Sequence, residues 1–203
     1  MLFRSVLLHQ AGEHQLALEH YDRALALRPS QPQADIRYDR ALARIALDRR
    51  DALEDIDRAL DERPGHEGAL RVFAQEGEGR FGLLPSEIDF RLGLALSLPG
   101  PPLVALELAS RRALSKGNNE LALKHAVEYE RLAPTSAMGA RLEGRAALYS
   151  GQFARARDAF ERACQRAPSA DAHYELGLAL EKLGQRDAAA AQFRRALELD
   201  PAH

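Results

Sequence analysis

The sequence predicts an all-helical fold built from repeated helix hairpins, and three observations carry that prediction. The 203 residues include 37 Ala, 33 Leu and 25 Arg against only 4 Val, 4 Ile and 1 Thr. Strands draw on β-branched residues, which this chain nearly lacks. Next, Pro29, Pro64, Pro99, Pro134, Pro168 and Pro201 follow one another at intervals of 35, 35, 35, 34 and 33 residues. Last, glycine stands 17 residues before the period proline at Gly12, Gly82, Gly117, Gly151 and Gly184; Leu47 is the exception. A fixed period of this length marks a stacked repeat.

Each period reads as helix, glycine turn, helix, proline stop. Glycine accepts the left-handed conformation that ends a helix, and proline cannot continue one. The periods divide the chain into units at about 1–32, 33–66, 67–100, 101–135, 136–169 and 170–203, forming a single array. The first unit lacks its opening residues but has a regular second helix, with Ala17, Tyr21 and Ala24 at 12, eight and five residues before Pro29. The second repeats this with Ala52, Ile56 and Ala59. Alanine lets two helix axes approach, and the large residue fills the space beside it.

The third unit is degenerate. Its first helix opens on Leu70, Phe73 and Ala74, then meets Gly77, Gly79 and Gly82, which predicts a longer turn and a weak, hinge-like point. Its second helix should restart near Pro85 and Ser86, with Phe90 and Gly93 in the large and small positions after a one-residue slip of register. In the fourth, fifth and sixth units, Asn118, Ser136 and Ser169 are candidate N-caps. The fifth carries Ala156, Phe160 and Ala163, and the sixth Ala189, Phe193 and Ala196.

The sixth unit, Ala170 to His203, resembles the tetratricopeptide repeat, a helical hairpin. Leu176-Gly177, Gly184, Ala189, Phe193, Ala196 and Pro201 stand where that family's pattern wants them. Gly144, Gly151, Ala156, Phe160, Ala163 and Pro168 do the same in the fifth unit, and the second helix of the first unit matches as well. The resemblance implies a right-handed α-solenoid of antiparallel helix hairpins, with about five full units and a truncated first one. It also implies a concave groove, lined by the first helix of each unit, that receives an extended peptide or a helix.

On that footing the groove positions include Arg37, Arg44, Arg71, Arg111, Arg141 and Arg145, with Tyr149 and Tyr174 adding aromatic surface. A weakly basic groove follows, and with it the expectation of an acidic protein or peptide partner. Chaperone-binding relatives hold a carboxylate with Lys and Asn four residues apart. The matching pairs here are Arg37/Ala41, Arg71/Gln75, Glu107/Arg111, Arg141/Arg145 and Tyr174/Leu178, and none fits.

Other chemistry finds little support. The net charge of −2 and pI near 6.4 offer no reason to expect nucleic acid. The lone Cys164 excludes an internal disulfide and reads as a small buried residue. The seven histidines show no HExxH motif and no i,i+4 pair, so no metal or cofactor is expected. Asp35 with Asp39 and Asp51 with Asp55 share helix faces among arginines, as on a solvated, charge-laced surface. Apolar stretches fall short of the roughly 20 residues of a membrane helix, and the opening residues do not read as a signal peptide. No direct membrane insertion is expected.

The function expected is a non-catalytic interaction scaffold, not an enzyme. It would act in the cytoplasm, or the periplasm if the chain is a segment of a longer exported protein. The excess of arginine over lysine fits a GC-rich bacterial gene. Two alternatives stand beside it. One is a self-assembling module joined through terminal repeats, where Leu2, Phe3, Leu7, Leu197 and Leu199 lack a covering unit. The other is a segment of a larger protein whose activity lies elsewhere.

Overall fold

The computed structural model describes Val6, residues 8–27 and residues 32–202. Pro29, Leu2, Phe3 and Leu7 lie outside the described residues. Those described are all helical or in turns, with no strand among them. The chain divides into two compact units, the first ending at Ala105 and the second beginning at Leu106.

In the first unit, α1 (His14–Leu27), α2 (Ala34–Ala46), α3 (Ala52–Glu62), α4 (Glu67–Glu76) and α5 (Pro85–Leu96) each pack on the next in sequence. Ala17, Leu18 and Tyr21 of α1 form a core cluster with Ala43 of α2. Ala52, Ile56 and Ala59 are all buried, as the period requires. Where Leu47 replaces the period glycine, the neighbouring Asp48 takes the left-handed conformation, at φ 54°. Aspartate tolerates this region better than leucine does, because its short polar side chain can bond locally.

The third repeat, residues 67–100, differs from its expected register. After the other period glycines the helix restarts two residues on, at His14 after Gly12 and at Arg186 after Gly184. After Gly82 (φ 68°), α5 starts only at Pro85, one residue later. Leu84 is extended, and Glu87 reaches back to accept a hydrogen bond from its N–H at 2.6 Å. The extra residue turns the helix so that Ile88, Leu92 and Ala95 are buried, while Phe90 stands 64% exposed. The register slips by one in the opposite sense to that predicted, and a Cβ on Gly93 would meet open space. Gly77, in contrast, is a packing glycine: a Cβ there would run into the Phe73 carbonyl oxygen and come within 3.0 Å of Ile88 Cδ1. Backbone bonds from Arg80 N to Glu76 O and from Leu83 N to Gly77 O, each 2.8 Å, close this turn.

The second unit takes in most of α6 (Leu103–Ser115), then α7 (Asn119–Leu132), α8 (Ala137–Tyr149), α9 (Phe153–Arg166), α10 (Ala170–Lys182) and α11 (Arg186–Leu199). From α7 onward each packs on its successor, and α8 also touches α10. The expected caps are in place: Asn118, Ser136 and Ser169 accept from the N–H of Leu121, Met138 and Ala172. In α7 the small and large positions have exchanged places, and Ala126 and Tyr129 are both buried. One cluster joins Ala147, Ala156, Phe160, Leu176, Ala179, Leu180 and Ala189. A Cβ on Gly144 would come within 2.5 Å of the Phe160 ring, so only glycine admits that ring. In α11, Ala196 is buried while Leu197 and Leu199 remain exposed.

Candidate functional site

Three helices that each open a hairpin, α6, α8 and α10, frame a surface cavity of about 610 Å³ in the second unit. Leu114, Leu148, Leu178 and the edge of Phe160 give it an apolar floor. Tyr149, 68% exposed, ends α8; Tyr174, 43% exposed, stands on the first turns of α10. Behind Tyr174 lies Phe193, with ring centroids 5.6 Å apart, so α11 supports the aromatic wall.

The charged lining comprises Arg111, Arg145, Asp171 and Glu175. Glu175 is buried, and its Oε1 accepts from Arg145 Nε at 2.5 Å. Its Oε2 accepts from Arg141 Nε at 2.9 Å. Arg141 Nη2 also donates to Asp171 at 2.7 Å. Burial works against the Arg141 charge, and the bonds to Glu175 and Asp171 outweigh it, raising its pKa above the ordinary arginine value. Arg111 pairs with Glu107 at 3.0 Å, and its buried Nε makes no hydrogen bond. Three arginines therefore face three carboxylates, and the site is charge-balanced.

Of the positions the sequence suggested, Arg111, Arg145, Tyr149 and Tyr174 line the cavity, with Arg141 bound to its wall. The remaining three belong to the compact unit that ends at Ala105. Arg37 donates to Glu62 at 2.7 Å, Arg44 pairs with Asp55 at 2.9 Å, and Arg71 is exposed on α4. Asp55 corrects the solvated-surface reading. It is fully buried and held by Arg40 Nε at 2.8 Å as well as by Arg44. Two arginine partners supply the hydrogen bonds and opposite charge that a buried carboxylate needs.

Sequence reasoning missed Glu175. One residue after the first member of each of the five pairs named above stand Tyr38, Val72, Leu108 and Leu142, and then Glu175. A charge in an otherwise apolar column was the available signal. Cys164 also differs from expectation: Ala163 is the fully buried residue, and Cys164 beside it is half-buried with Sγ 3.8 Å from His173 Nδ1. Burial, with Glu175 adding to it, pushes this thiol up to about 11, so it stays protonated. The turn at Gly12 brings His9 and His14 together, Nδ1 to Nδ1 at 3.0 Å. No group of three or more metal-ligating side chains exists among the described residues, and no helix there is long and apolar enough to cross a membrane.

The sequence pattern of the tetratricopeptide repeat matches residues 1–32 and 141–203. A comparison with curated protein sequences gives no match. Among solved structures, PilW, a widely conserved type IV pilus biogenesis factor, superposes with a TM-score of 0.73 at 19% identity, covering 98% of this chain and 91% of that one. PilF of Pseudomonas aeruginosa gives 0.73 at 17% identity, covering 100% and 91%. YrrB, a TPR protein with an unusual peptide-binding site, gives 0.66 at 18% identity, covering 92% and 95%. At these identities the likeness speaks for the fold. That fold is the helix-hairpin solenoid of the tetratricopeptide repeat, and the family's sequence pattern spans the stretch that holds the Gly144–Phe160 and Gly177–Phe193 contacts.

Proposed function

We propose that the protein is a non-catalytic interaction module whose second unit takes a partner's peptide or helix into the cavity between α6, α8 and α10. The carrying observation is the cavity itself: about 610 Å³ with an apolar floor between two exposed tyrosines. That volume suits a few side chains of a bound segment. Tyrosines give contact area at little entropic cost, and Tyr174 is backed by Phe193, which makes the pair good anchors. YrrB's peptide-binding site supports the reading by analogy of fold. The ligand is a segment with a large apolar residue at its centre. Its preference for acidic flanks is weak, because the arginines already have partners.

Selection from a library of short peptides, followed by fluorescence anisotropy, tests this. Enriched sequences should carry a central Leu, Phe or Tyr. Replacing Tyr149 and Tyr174 together by Ala should weaken binding by about 10- to 100-fold, as loss of two anchors implies. Failure to enrich any peptide, or an unchanged affinity in the double variant, overturns the proposal.

A further inference from the structure

We infer that Glu175 is a built-in competitor that sets the charge selectivity of the cavity, holding Arg145, the lining arginine that an acidic ligand would otherwise engage. This rests on the peptide-binding reading above. Glu175 lies in the cavity lining and is only 7% exposed. It bridges the two guanidinium groups, accepting from Arg141 Nε and Nη2 at 2.9 and 3.2 Å and from Arg145 Nε at 2.5 Å.

The fold does not require a carboxylate there. The equivalent residues of the two preceding units are Leu108 and Leu142, both buried and both apolar. A leucine at 175 would satisfy the same packing and leave Arg145, 35% exposed, open to the cavity. Arg141 would keep Asp171. The cavity would change from charge-balanced to net positive by one unit without alteration of its apolar floor. A guanidinium holds a carboxylate through paired, directional bonds, so a resident carboxylate and a ligand carboxylate compete for the same donors. With Glu175 in place the apolar anchor decides what binds; without it, charge does.

A purely structural Glu175, stapling α8 to α10, makes a different prediction. Its loss would lower stability and leave the charge preference of the ligand unchanged. The test therefore reads selectivity. Peptides with one central Phe, flanked by Ser/Gln, Asp/Glu or Lys/Arg, are measured against the native chain, Glu175→Gln and Glu175→Leu at low and raised salt. Thermal melts identify any variant that does not fold; the isosteric glutamine keeps the test open if leucine fails.

The native chain should bind the neutral and acidic sets within about threefold of each other, with little effect of salt. The variants should favour the acidic set by about tenfold or more, and raised salt should erase the gain, as for an exposed charge contact. Adding Arg145→Gln to Glu175→Leu should remove it too. If the variants keep the native ratio while Tyr149→Ala still weakens binding, the role of Glu175 is wrong and the peptide site stands. If no set binds the native chain, both fall. A native chain that already prefers acidic peptides in a salt-dependent way also overturns the inference.

Discussion

Three glycines within helices show how the neighbourhood of one Cα decides the sign of a substitution. Gly93 faces open space, so Gly93→Ala keeps its gain in helix propensity and should stabilise by about 1 kcal/mol. At Gly144 the same gain meets the Phe160 ring at 2.5 Å, and Phe160 is fully buried with nowhere to move. Overpacking costs about 1–3 kcal/mol, so Gly144→Ala should destabilise by about 2 kcal/mol. Gly177 meets Phe193 as closely, but that ring is only half-buried and lies on α11. Its cost should fall near zero to about 1 kcal/mol. Urea midpoints of the three variants check the order; a Gly144→Ala chain as stable as the native one would show that the helices can move apart. Asp55 illustrates the same dependence on surroundings. Removing it would leave Arg40 and Arg44 without their buried partner, which explains why an aspartate sits in a core position.

At the scale of the element, α5 shows that a single extra turn residue outweighs side-chain preference. Phenylalanine is a better core residue than isoleucine by volume, yet Phe90 faces solvent because Pro85 and the Glu87–Leu84 bond fix where the helix begins. Phase follows from the start point at 3.6 residues per turn. Leu92→Ala should therefore cost about 2–5 kcal/mol, in the range of buried leucine truncations. Phe90→Ser should stay within about 0.5 kcal/mol, as for surface sites. Chemical denaturation distinguishes them, and a large loss from Phe90→Ser would mean that the register described here is wrong.

At the scale of the molecule, the second unit contains everything the proposed site needs. All lining residues lie between Arg111 and Leu178, and the core cluster of Ala147, Phe160, Leu176 and Ala189 is internal to that unit. Repeat proteins are held by nearest-neighbour interfaces, so a run of complete hairpins is self-supporting. A fragment of residues 101–203, which keeps α6 whole, should melt cooperatively and bind the same peptides as the full chain. A non-cooperative melt, or loss of peptide binding in a folded fragment, would show that the site depends on the first unit.

The sequence by itself determined the repeat, because its signals are local and recur. Proline ends each hairpin, glycine at φ near 70–80° turns it, and alanine with a large partner packs it. Each of these acts within a few residues of its own position, so spacing alone makes it legible. The same phase argument placed Arg111, Arg145, Tyr149 and Tyr174 on one surface. Only the tertiary structure decided which charges meet. Arg141 and Glu175 are 34 residues apart, and Arg40 and Asp55 are 15 apart on successive helices. Their pairing depends on how hairpins stack, which periodicity does not encode. The structure turned a cavity that looked basic into a balanced one, because Glu175, which could not be placed from sequence, is buried against Arg141 and Arg145. The direction of the slip in α5 was decided there too. It depends on one added turn residue, and the gain comes from burying Ile88 and Leu92 together against their neighbours.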